Sequence, residues 1–353
     1  MPLTERLRDR IAREGPISFS EFMGAALYDP EEGYYARGAA IGDGGDFVTS
    51  PHVSPAFARS LARLFAMESE SLEGPVDFVE VGAGVGRFLE DLTLALRALD
   101  PGLHARLRVT AVEGSEAGRR AIAARALAPA PRVLADAAEL EPSSVRGWIF
   151  SNELYDALPV VRVMGSADGL LELRVGWKNE RFAWTPAPAA DPVKEHLALL
   201  GVALNPGQKG EVALDAAPIH RHLARALDRG SLVVFDYGHP SRILYHPFAR
   251  HEGTLAVHSG GRRGGDPLDR PGARDLTAHV NWDVLLAVGE AEGLRAERLV
   301  RQGQFLAEIG ILDFAADDAE KWRIFRLVDP EGMGEEISVL VQRKGMTSGP
   351  RAD

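Results

Sequence analysis

The chain has 353 residues, 45% of them hydrophobic, which is enough to bury a full core, and its formal net charge is -11. This acidic balance provides no broad basic field for phosphates, so we do not expect a dedicated nucleic-acid-binding protein. The absence of cysteine excludes disulfides, thiolate metal sites and a thiol nucleophile. No apolar run approaches the roughly 18 residues of a membrane-spanning helix. The N-terminus mixes arginines with acidic residues, unlike a targeting segment. We therefore expect a cytoplasmic protein without a membrane span.

The first 74 residues predict a helical segment with one interruption. The Gly- and Asp-rich stretch from Ala36 to Pro51 is expected to be a loop that covers a cofactor. Ser54 precedes Pro55, a residue suited to a first helical turn, and apolar residues then recur at helical spacing. A helix is therefore predicted over about residues 54–70.

From Val76 to Glu153, short apolar runs alternate with helical patterns. The runs are VDFVEVG, LRVTAVEG, RVLAD and GWIFSNE, and the helical patterns between them are GRFLEDLTLALRALD and SEAGRRAIAARALA. Such near-continuous apolar strands, with helices between them, predict an α/β fold with a doubly wound parallel sheet.

Two insertions interrupt this pattern before the end of the core, which we expect to span residues 75–345. Alternating runs at about 160–215 predict an antiparallel excursion, after which a helix over 218–227 and the strand SLVVFDYG resume the sheet. The stretch 239–280 is too long for a simple connection and predicts a lid. We expect the two insertions to form a substrate domain, and residues 346–353 to form a disordered tail.

The first strand carries Glu80 and is followed by Gly82, Gly84 and Gly86 in a turn that opens a helix. Glycine turns let a ligand touch backbone amides. A dinucleotide site would place the third glycine one residue later, where Arg87 stands. A carboxylate at this point repels phosphates but suits a cationic amino-acid end. The pattern favours S-adenosylmethionine over NAD, and a tight turn without a ligand is the alternative.

Two further acidic residues end the next predicted strands. Glu113 can accept hydrogen bonds from both ribose hydroxyls of an adenosine, or it can belong to a helix-capping group with Ser115. Asp136 ends the third strand, where a carboxylate can accept from the exocyclic amine of adenine. A surface position is the alternative for Asp136.

The fourth strand delivers Asn152, Glu153 and Asp156 at the edge where the transferred methyl group should lie. Two acids three residues apart can neutralise a cationic acceptor and orient it for in-line attack. The alternative is a capped short helix with solvated acids. His279 is expected either beside the acceptor or in the core. Because the histidines form no metal-binding pattern, we predict no metal site.

Seven motifs together resemble the MidA-type methyltransferases, whose mitochondrial members help to assemble respiratory complex I by methylating arginine on one of its subunits. The motifs are GDFVTSP (45–51), EVGAGVG (80–86), SNELYDALP (151–159), DYG (236–238), DLTAHVNW (275–282), GQFLAEIG (303–310) and EGMG (331–334). The resemblance spans nearly the whole chain. It implies a Rossmann-like class I methyltransferase core with an N-terminal helical segment and an inserted substrate region.

The resemblance also implies cofactor contacts from the GDFVTSP loop, so Asp46, Thr49 and Ser50 join Asn152 and the glycine turn as candidate S-adenosylmethionine contacts. The acceptor that it implies is an arginine-containing protein such as a complex I subunit. Acceptor-side motifs differ from the family pattern, since Glu335 and Glu336 stand where a Phe-Lys pair is usual. Two alternatives therefore remain, a small-molecule methyltransferase and a non-catalytic assembly factor. The sequence allows a dimer without specifying an oligomeric state.

Overall fold

The computed structural model describes residues 1–36, 49–260 and 262–346, except the side chain of Arg262. Most of the predicted cofactor-covering loop, including Asp46, and most of the predicted tail lie outside these residues. No helix in the described ranges is long and apolar enough to cross a membrane.

The strands and helices follow in chain order. The strands are β1 (Val76–Val81), β2 (Leu107–Val112), β3 (Arg132–Leu134), β4 (Val145–Asn152), β5 (Val161–Ser166), β6 (Gly169–Lys178), β7 (Arg181–Pro188), β8 (Lys209–Val212), β9 (Leu227–His239), β10 (Ala256–Ser259), β11 (Arg262–Arg263), β12 (Asp275–Thr277), β13 (Val280–Asn281), β14 (Arg295–Arg301) and β15 (Ile337–Lys344). The helices are α1 (Leu3–Glu14), α2 (Phe19–Tyr28), α3 (Ser50–Val53), α4 (Pro55–Ser69), α5 (Arg87–Leu99), α6 (Pro101–Arg106), α7 (Glu116–Ala124), α8 (Asp191–Leu199), α9 (Ala216–Ala226), α10 (Ser241–Leu244), α11 (Trp282–Ala291), α12 (Gln302–Glu308), α13 (Asp318–Val328) and α14 (Met333–Glu336). Two 3-10 helices cover Ala137–Glu139 and Ile311–Phe314.

The central sheet confirms the predicted α/β fold with a parallel core. Its strand order is β14-β15-β9-β4-β1-β2-β3, and β13 pairs with the end of β9. Neighbouring strands run parallel from β3 to β9. Strand β15 is antiparallel to both β9 and β14. Strand β14 therefore points the same way as β9, and the carboxyl ends of six of these strands meet at one edge of the sheet.

Strand β1 is buried along its whole length because both faces of the sheet are covered. Val76 and Phe78 pack in the core that includes α4 and α5, whereas Val79 and Val81 pack in the core that includes α9. This alternation is the two-residue period of a strand. Full burial of one such side chain contributes about 1.5–3 kcal/mol, so the position of β1, and with it the edge of the sheet, is strongly fixed.

Two glycines set the spacing of β1, β4 and β9 at their amino-terminal ends. A Cβ on Gly147 would lie 2.0 Å from the carbonyl oxygen of Asp77, and one on Gly230 would lie 1.8 Å from that of Gly147. Both glycines also have positive φ values, of 147° and 135°. Any side chain at either position would force these strands apart.

The first insertion forms a separate four-stranded antiparallel sheet in the order β7-β6-β5-β8. The second contains the small sheet β11-β10-β12. The sequence predicts a single N-terminal helical segment, but its helices pack in two different hydrophobic cores. Helices α1 and α2 share a core with residues of β6, β7 and the second insertion, whereas α4 joins the core of the central sheet. Helix α4 lies where a helix was predicted over 54–70, with the Ser54 hydroxyl capping it.

Candidate functional site

A cleft of about 1340 Å³ lies at the carboxyl edge of the central sheet. The small sheet β11-β10-β12 and the end of α2 also contribute to its walls. The predicted site residues that line the cleft are Thr49, Glu80, Gly82, Gly84, Glu113, Asn152, Glu153, Asp156 and His279. A single surface thus brings together side chains that are more than 200 residues apart in the chain.

The turn between β1 and α5 has a backbone that only glycine adopts readily. The φ values of Gly82, Gly84 and Gly86 are 79°, 53° and 76°. A Cβ on Gly82 would meet the side chain of Leu154 at 3.1 Å, and one on Gly86 would meet that of Ile122 at 3.0 Å. The turn therefore presents its backbone to the cleft, and a side chain at these positions would be strained.

Glu80 lies near the end of β1, and Asn152 ends the neighbouring strand β4. Each of these side chains has an acceptor oxygen without a partner among the described residues. The Oε2 atom of Glu80 and the Oδ1 atom of Asn152 are buried and have no hydrogen-bond partner among the described residues. Burial, and secondarily the charge of Glu113, holds the pKa of Glu80 well above its ordinary value. A cation bound here would lower that pKa and satisfy both oxygens. The two residues fit the ammonium group of S-adenosylmethionine.

Glu113 lies at the end of β2 and is held by two backbone amides. Its Oε2 accepts from the N–H of Gly84 at 2.8 Å, and its Oε1 accepts from the N–H of Ser115 at 2.7 Å. Each carboxylate oxygen keeps a second lone pair. The carboxylate therefore joins the glycine turn to the start of α7 and can still accept from ribose hydroxyls.

Asp136 does not lie where the sequence suggested. Strand β3 ends at Leu134, and the chain then turns into the first 3-10 helix, whose N-cap is Asp136. The carboxylate accepts from the N–H of Ala138 at 2.9 Å, and the residue is exposed. It is not among the residues that line the cleft. The short side chain is used in local capping instead of reaching toward an adenine.

Thr49 and Ser50 are the two described residues of the loop that was predicted to contact the cofactor. Their side chains point in different directions. Thr49 lines the cleft, and its hydroxyl lies 2.9 Å from Nδ1 of His52. Ser50 is fully buried and donates its hydroxyl to Oε1 of Gln302 at 2.9 Å. Its side chain does not line the cleft, which corrects the prediction of a direct contact. The backbone N–H of Ser50 instead donates to the Glu153 carboxylate.

The turn after β4 holds Glu153 and Asp156 in place through β9. Glu153 has a φ of 51° and donates its backbone N–H to the carbonyl of Phe235 at 2.8 Å. Asn152 donates Nδ2 to Oε1 of Glu153 at 3.0 Å. Asp236, at the end of β9, accepts from backbone amides of this turn. Asp236 belongs to the DYG motif but was not predicted as a site residue.

The carboxyl groups of Asp156 and Asp236, which are buried, and of Glu153, which is half-buried, form a cluster without a compensating cation in the described residues. Burial, together with the charge of Asp236, raises the pKa of Glu153 to about 8. Burial and the same neighbour hold the pKa of Asp156 well above its ordinary value. Asp236 itself has a pKa raised to about 7 by burial, against the effect of its backbone hydrogen bonds. The cluster is therefore suited to receive a cationic group.

Two tyrosines from the N-terminal segment form an aromatic wall of the cleft, although no local sequence pattern marks them as site residues. Tyr28 and Tyr35 are stacked with ring centroids 5.5 Å apart. Tyr28 donates its hydroxyl to the carbonyl of Ala157 at 2.8 Å, and Tyr35 donates to Oδ1 of Asp275 at 3.1 Å. Aromatic faces attract cations, so this wall complements the carboxyl cluster.

His279 lines the cleft and is neutral at physiological pH. Burial is the largest cause, and nearby His239, Arg250 and Arg263 add to it, so that the pKa of His279 falls to about 3. Its ring centroid lies 5.3 Å from that of His239. Within the described ranges, no group of three or more His, Asp or Glu residues is arranged to hold a metal ion.

Comparisons with known proteins agree with this geometry. The model of a family described as S-adenosyl-L-methionine-dependent methyltransferase matches residues 60–300. A crystal structure of a Burkholderia thailandensis protein bound to S-adenosyl-homocysteine superimposes with a TM-score of 0.87 at 31% identity, over 98% of this chain and 92% of that one. The human mitochondrial protein arginine methyltransferase NDUFAF7 is 25% identical over 96% of this chain and 82% of its own. Its Drosophila melanogaster homolog is 27% identical over 98% and 85%.

Proposed function

Because the chain belongs to the family of S-adenosyl-L-methionine-dependent methyltransferases, we propose that it transfers the methyl group to a guanidine nitrogen of an arginine side chain in a protein. The observation that carries this proposal is the cluster of Glu153, Asp156 and Asp236, whose pKa values are raised mainly by burial and which has no cationic partner among the described residues. A guanidinium would supply that charge. The human and Drosophila melanogaster relatives are protein arginine methyltransferases, and the similarity to them supports the same acceptor.

When bound, S-adenosylmethionine supplies a methyl group on a sulfonium sulfur, which a nucleophile can displace in line. We assign the residues around the glycine turn to holding it. Glu80 and Asn152 would accept from its ammonium group, and Glu113 would accept from its ribose hydroxyls. The backbone of Gly82 and Gly84 would lie against it without a side chain intervening.

The acceptor side of the proposal uses the charge of the cluster. A guanidinium is protonated at neutral pH and is a poor nucleophile while its charge is delocalised. In the proposed arrangement, the carboxylates of Glu153 and Asp156 accept from two of its nitrogens and draw the positive charge away from the third. The third nitrogen would attack the methyl carbon as the bond from that carbon to sulfur breaks, S-adenosylhomocysteine would leave, and the proton of the nitrogen would pass to the Glu153 carboxylate. A guanidinium bound beside Glu153 would lower the pKa of this carboxyl group, so that it is ionised before the transfer, and the neighbouring charge of Asp236 would favour the proton that it receives.

The stacked rings of Tyr28 and Tyr35 would form an apolar side of the acceptor channel. Their hydroxyl groups are already used, one on Ala157 and one on Asp275. The rings are thereby fixed in position before an acceptor arrives, which reduces the ordering that binding requires.

The test is methyl transfer from S-adenosylmethionine carrying a labelled methyl group, followed by acid hydrolysis of the acceptor proteins and identification of the labelled amino acid by mass spectrometry. A subunit of respiratory complex I, the acceptor that the sequence resemblance implies, is the first protein to try. Labelled methylarginine is the expected product. Label found only in small molecules would contradict the proposal and favour a small-molecule methyltransferase. Label found on lysine would contradict arginine as the acceptor.

The role of the cluster is tested with Glu153→Gln, which keeps the shape of the side chain and removes its charge. We expect this variant to bind S-adenosylhomocysteine and to transfer methyl groups about 100-fold more slowly, the scale of a lost proton acceptor. Glu141→Gln is the matched control, because Glu141 is exposed and lies outside the cleft. Wild-type transfer by Glu153→Gln would remove Glu153 from this role.

A further inference from the structure

The side of the cleft formed by the second insertion and the end of β14 is cationic. Its charged side chains are Arg250, Arg263 and Arg301, and they stand near His239, His258 and His279. We refer to the three arginines as the arginine wall. The cofactor motifs do not use these residues.

The charge of the arginine wall is only partly neutralised. Arg301 pairs with Glu335 through Nε at 3.1 Å, and Glu336 also lines this part of the cleft. Arg250 and Arg263 form no ion pair with a carboxylate in the described part of the chain. Arg250 instead donates Nη2 to Nε2 of His239 at 2.7 Å. Because an arginine can only donate, His239 accepts through Nε2 and is neutral.

The histidines beside the wall respond to its field. Burial, followed by the charges of Arg250 and Arg301, lowers the pKa of His239 to about 4. Burial and Arg263 also lower the pKa of His258. At neutral pH the positive charge of this region therefore resides on the arginines, and the neighbouring rings add polar groups without adding charge.

The strand order separates the arginine wall from the cofactor motifs. Glu80 and the glycine turn follow β1, and Glu113 follows β2, whereas Arg301 ends β14, four strands from β1. At about 4.8 Å between neighbouring strands, this separation is about 19 Å. The carboxyl cluster after β4 lies between the two, so the wall is on the acceptor side of the transfer point.

This inference rests on the proposed function. We propose that the arginine wall is a subsite for an anionic side chain of the acceptor protein, the carboxylate of an Asp or Glu close in sequence to the target arginine. Guanidinium groups bind carboxylates through paired, charge-assisted hydrogen bonds. Arg250 contacts His239 at the end of β9, one strand spacing from β4, and Arg301 ends β14, three spacings or about 14 Å from β4. An extended peptide covers the longer of these spans in about four residues. The acidic residue is therefore placed within about four residues of the arginine that is methylated.

The test compares two synthetic peptides that each contain one arginine and differ at one position about four residues away, which is Glu in one and Gln in the other. Their binding to the protein is measured by calorimetry in the presence of S-adenosylhomocysteine, and their methylation is measured separately. We expect the Glu peptide to bind about tenfold more tightly. This preference should shrink as salt is raised from about 0.05 M to about 0.5 M, because the wall is partly exposed.

The variants Arg250→Gln and Arg263→Gln should each reduce the preference for the Glu peptide to about twofold or less. Arg242→Gln, a change at an exposed arginine that does not line the cleft, should leave it unchanged. Affinity for S-adenosylhomocysteine should be the same in all three variants, which also shows that they are folded. If Arg250→Gln or Arg263→Gln weakens S-adenosylhomocysteine binding itself, the wall belongs to the cofactor's carboxylate, and the proposal is overturned.

Two further results distinguish this inference from the function on which it rests. Equal binding of both peptides, with methylation of their arginine retained, overturns the anionic subsite and leaves the proposed function standing. Binding of neither peptide, with labelled methyl groups appearing only in small molecules, overturns both.

Discussion

The backbone N–H of Tyr155 donates to Oδ2 of Asp236 at 2.8 Å, and the N–H of Leu154 donates to the same oxygen at 3.1 Å. The carboxylate at the end of β9 thereby fixes the turn that carries Glu153 and Asp156. Asp236 is completely buried. In the proposed mechanism it would act on the acceptor through the turn, as a positioning residue.

Replacing Asp236 by Asn tests this relationship. Above the Asp236 pKa of about 7, the amide would offer one oxygen where the carboxylate offers two, and it would bring an N–H group against backbone donors. We expect a loss of about 1–3 kcal/mol in the free energy of unfolding and slower methyl transfer, with a smaller effect on S-adenosylhomocysteine affinity. Chemical denaturation and a transfer assay measure both. Asp168→Asn, at an exposed turn, is the control, and unchanged stability in Asp236→Asn would contradict the assignment.

Glu113→Gln should weaken cofactor binding. The amide nitrogen of Gln would face either the N–H of Gly84 or that of Ser115, so one of two charge-assisted hydrogen bonds is lost along with the negative charge. The bonds proposed from the ribose hydroxyls would also lose the negative charge of their acceptor. Because a hydrogen bond to a charged group contributes about 1.5–3 kcal/mol, we expect about a 10- to 100-fold weaker affinity for S-adenosylhomocysteine by calorimetry. Glu141→Gln should bind as the wild type does. A change of less than about threefold in Glu113→Gln would argue against a cofactor role.

The variant Asp136→Asn tests whether Asp136 is a capping residue, as in the structure, or an adenine contact, as predicted from the sequence. The side chain is exposed, caps the first 3-10 helix and does not line the cleft. Asparagine is an equally good capping residue. We therefore expect affinity for S-adenosylhomocysteine within about twofold of the wild type, on the scale of a few tenths of a kcal/mol. A tenfold loss of affinity for S-adenosylhomocysteine would instead support the predicted contact between Asp136 and adenine.

The carboxyl of Glu153 makes stability depend on pH. Its pKa is raised from 4.5 to about 8 in the folded protein, so between these values the folded state binds the proton and the unfolded chain releases it. By linkage, the free energy of unfolding falls as the pH rises through this window. Glu153→Gln removes that contribution. The free energy of unfolding of the variant, relative to that of the wild type, should therefore rise by on the order of 1 kcal/mol for each pH unit in this window. The gain should level off above about pH 8.

Denaturation curves at several pH values between these limits measure the effect. Glu141→Gln serves again as the control, since its curve should run parallel to that of the wild type. Parallel curves for Glu153→Gln would mean that the Glu153 carboxyl is not buried as described.

Local pattern was sufficient for much of this fold. Near-continuous apolar runs that alternate with helical patterns predicted the parallel strands, and the spacing of Gly82, Gly84 and Gly86 predicted the turn that opens α5. The resemblance to the MidA-type methyltransferases is confirmed. Cofactor identity followed from the same few residues.

Residue directions within the site could not be predicted in this way, because they depend on packing between distant segments. Ser50 turns inward because Gln302, 252 residues away in the chain, provides a buried acceptor. Tyr28 and Tyr35 reach the cleft because α2 docks on the inserted sheet. No periodicity in the sequence predicts either contact. Asp136 shows the opposite case, in which a local cap outweighs a distant ligand.

The docking of the first two helices has a consequence for synthesis of the chain. The apolar faces of α1 and α2 are buried by Val160, Val175, Phe182 and residues of the second insertion up to Ala278. The ribosome produces these partners long after it has released the N-terminus. Docking of the first helices can begin only when about half of the chain has been made, and it cannot be completed until more than three quarters has been made. The aromatic wall formed by Tyr28 and Tyr35 therefore completes its contacts only after Asp275 has been made, although both tyrosines precede that residue by more than 200 positions.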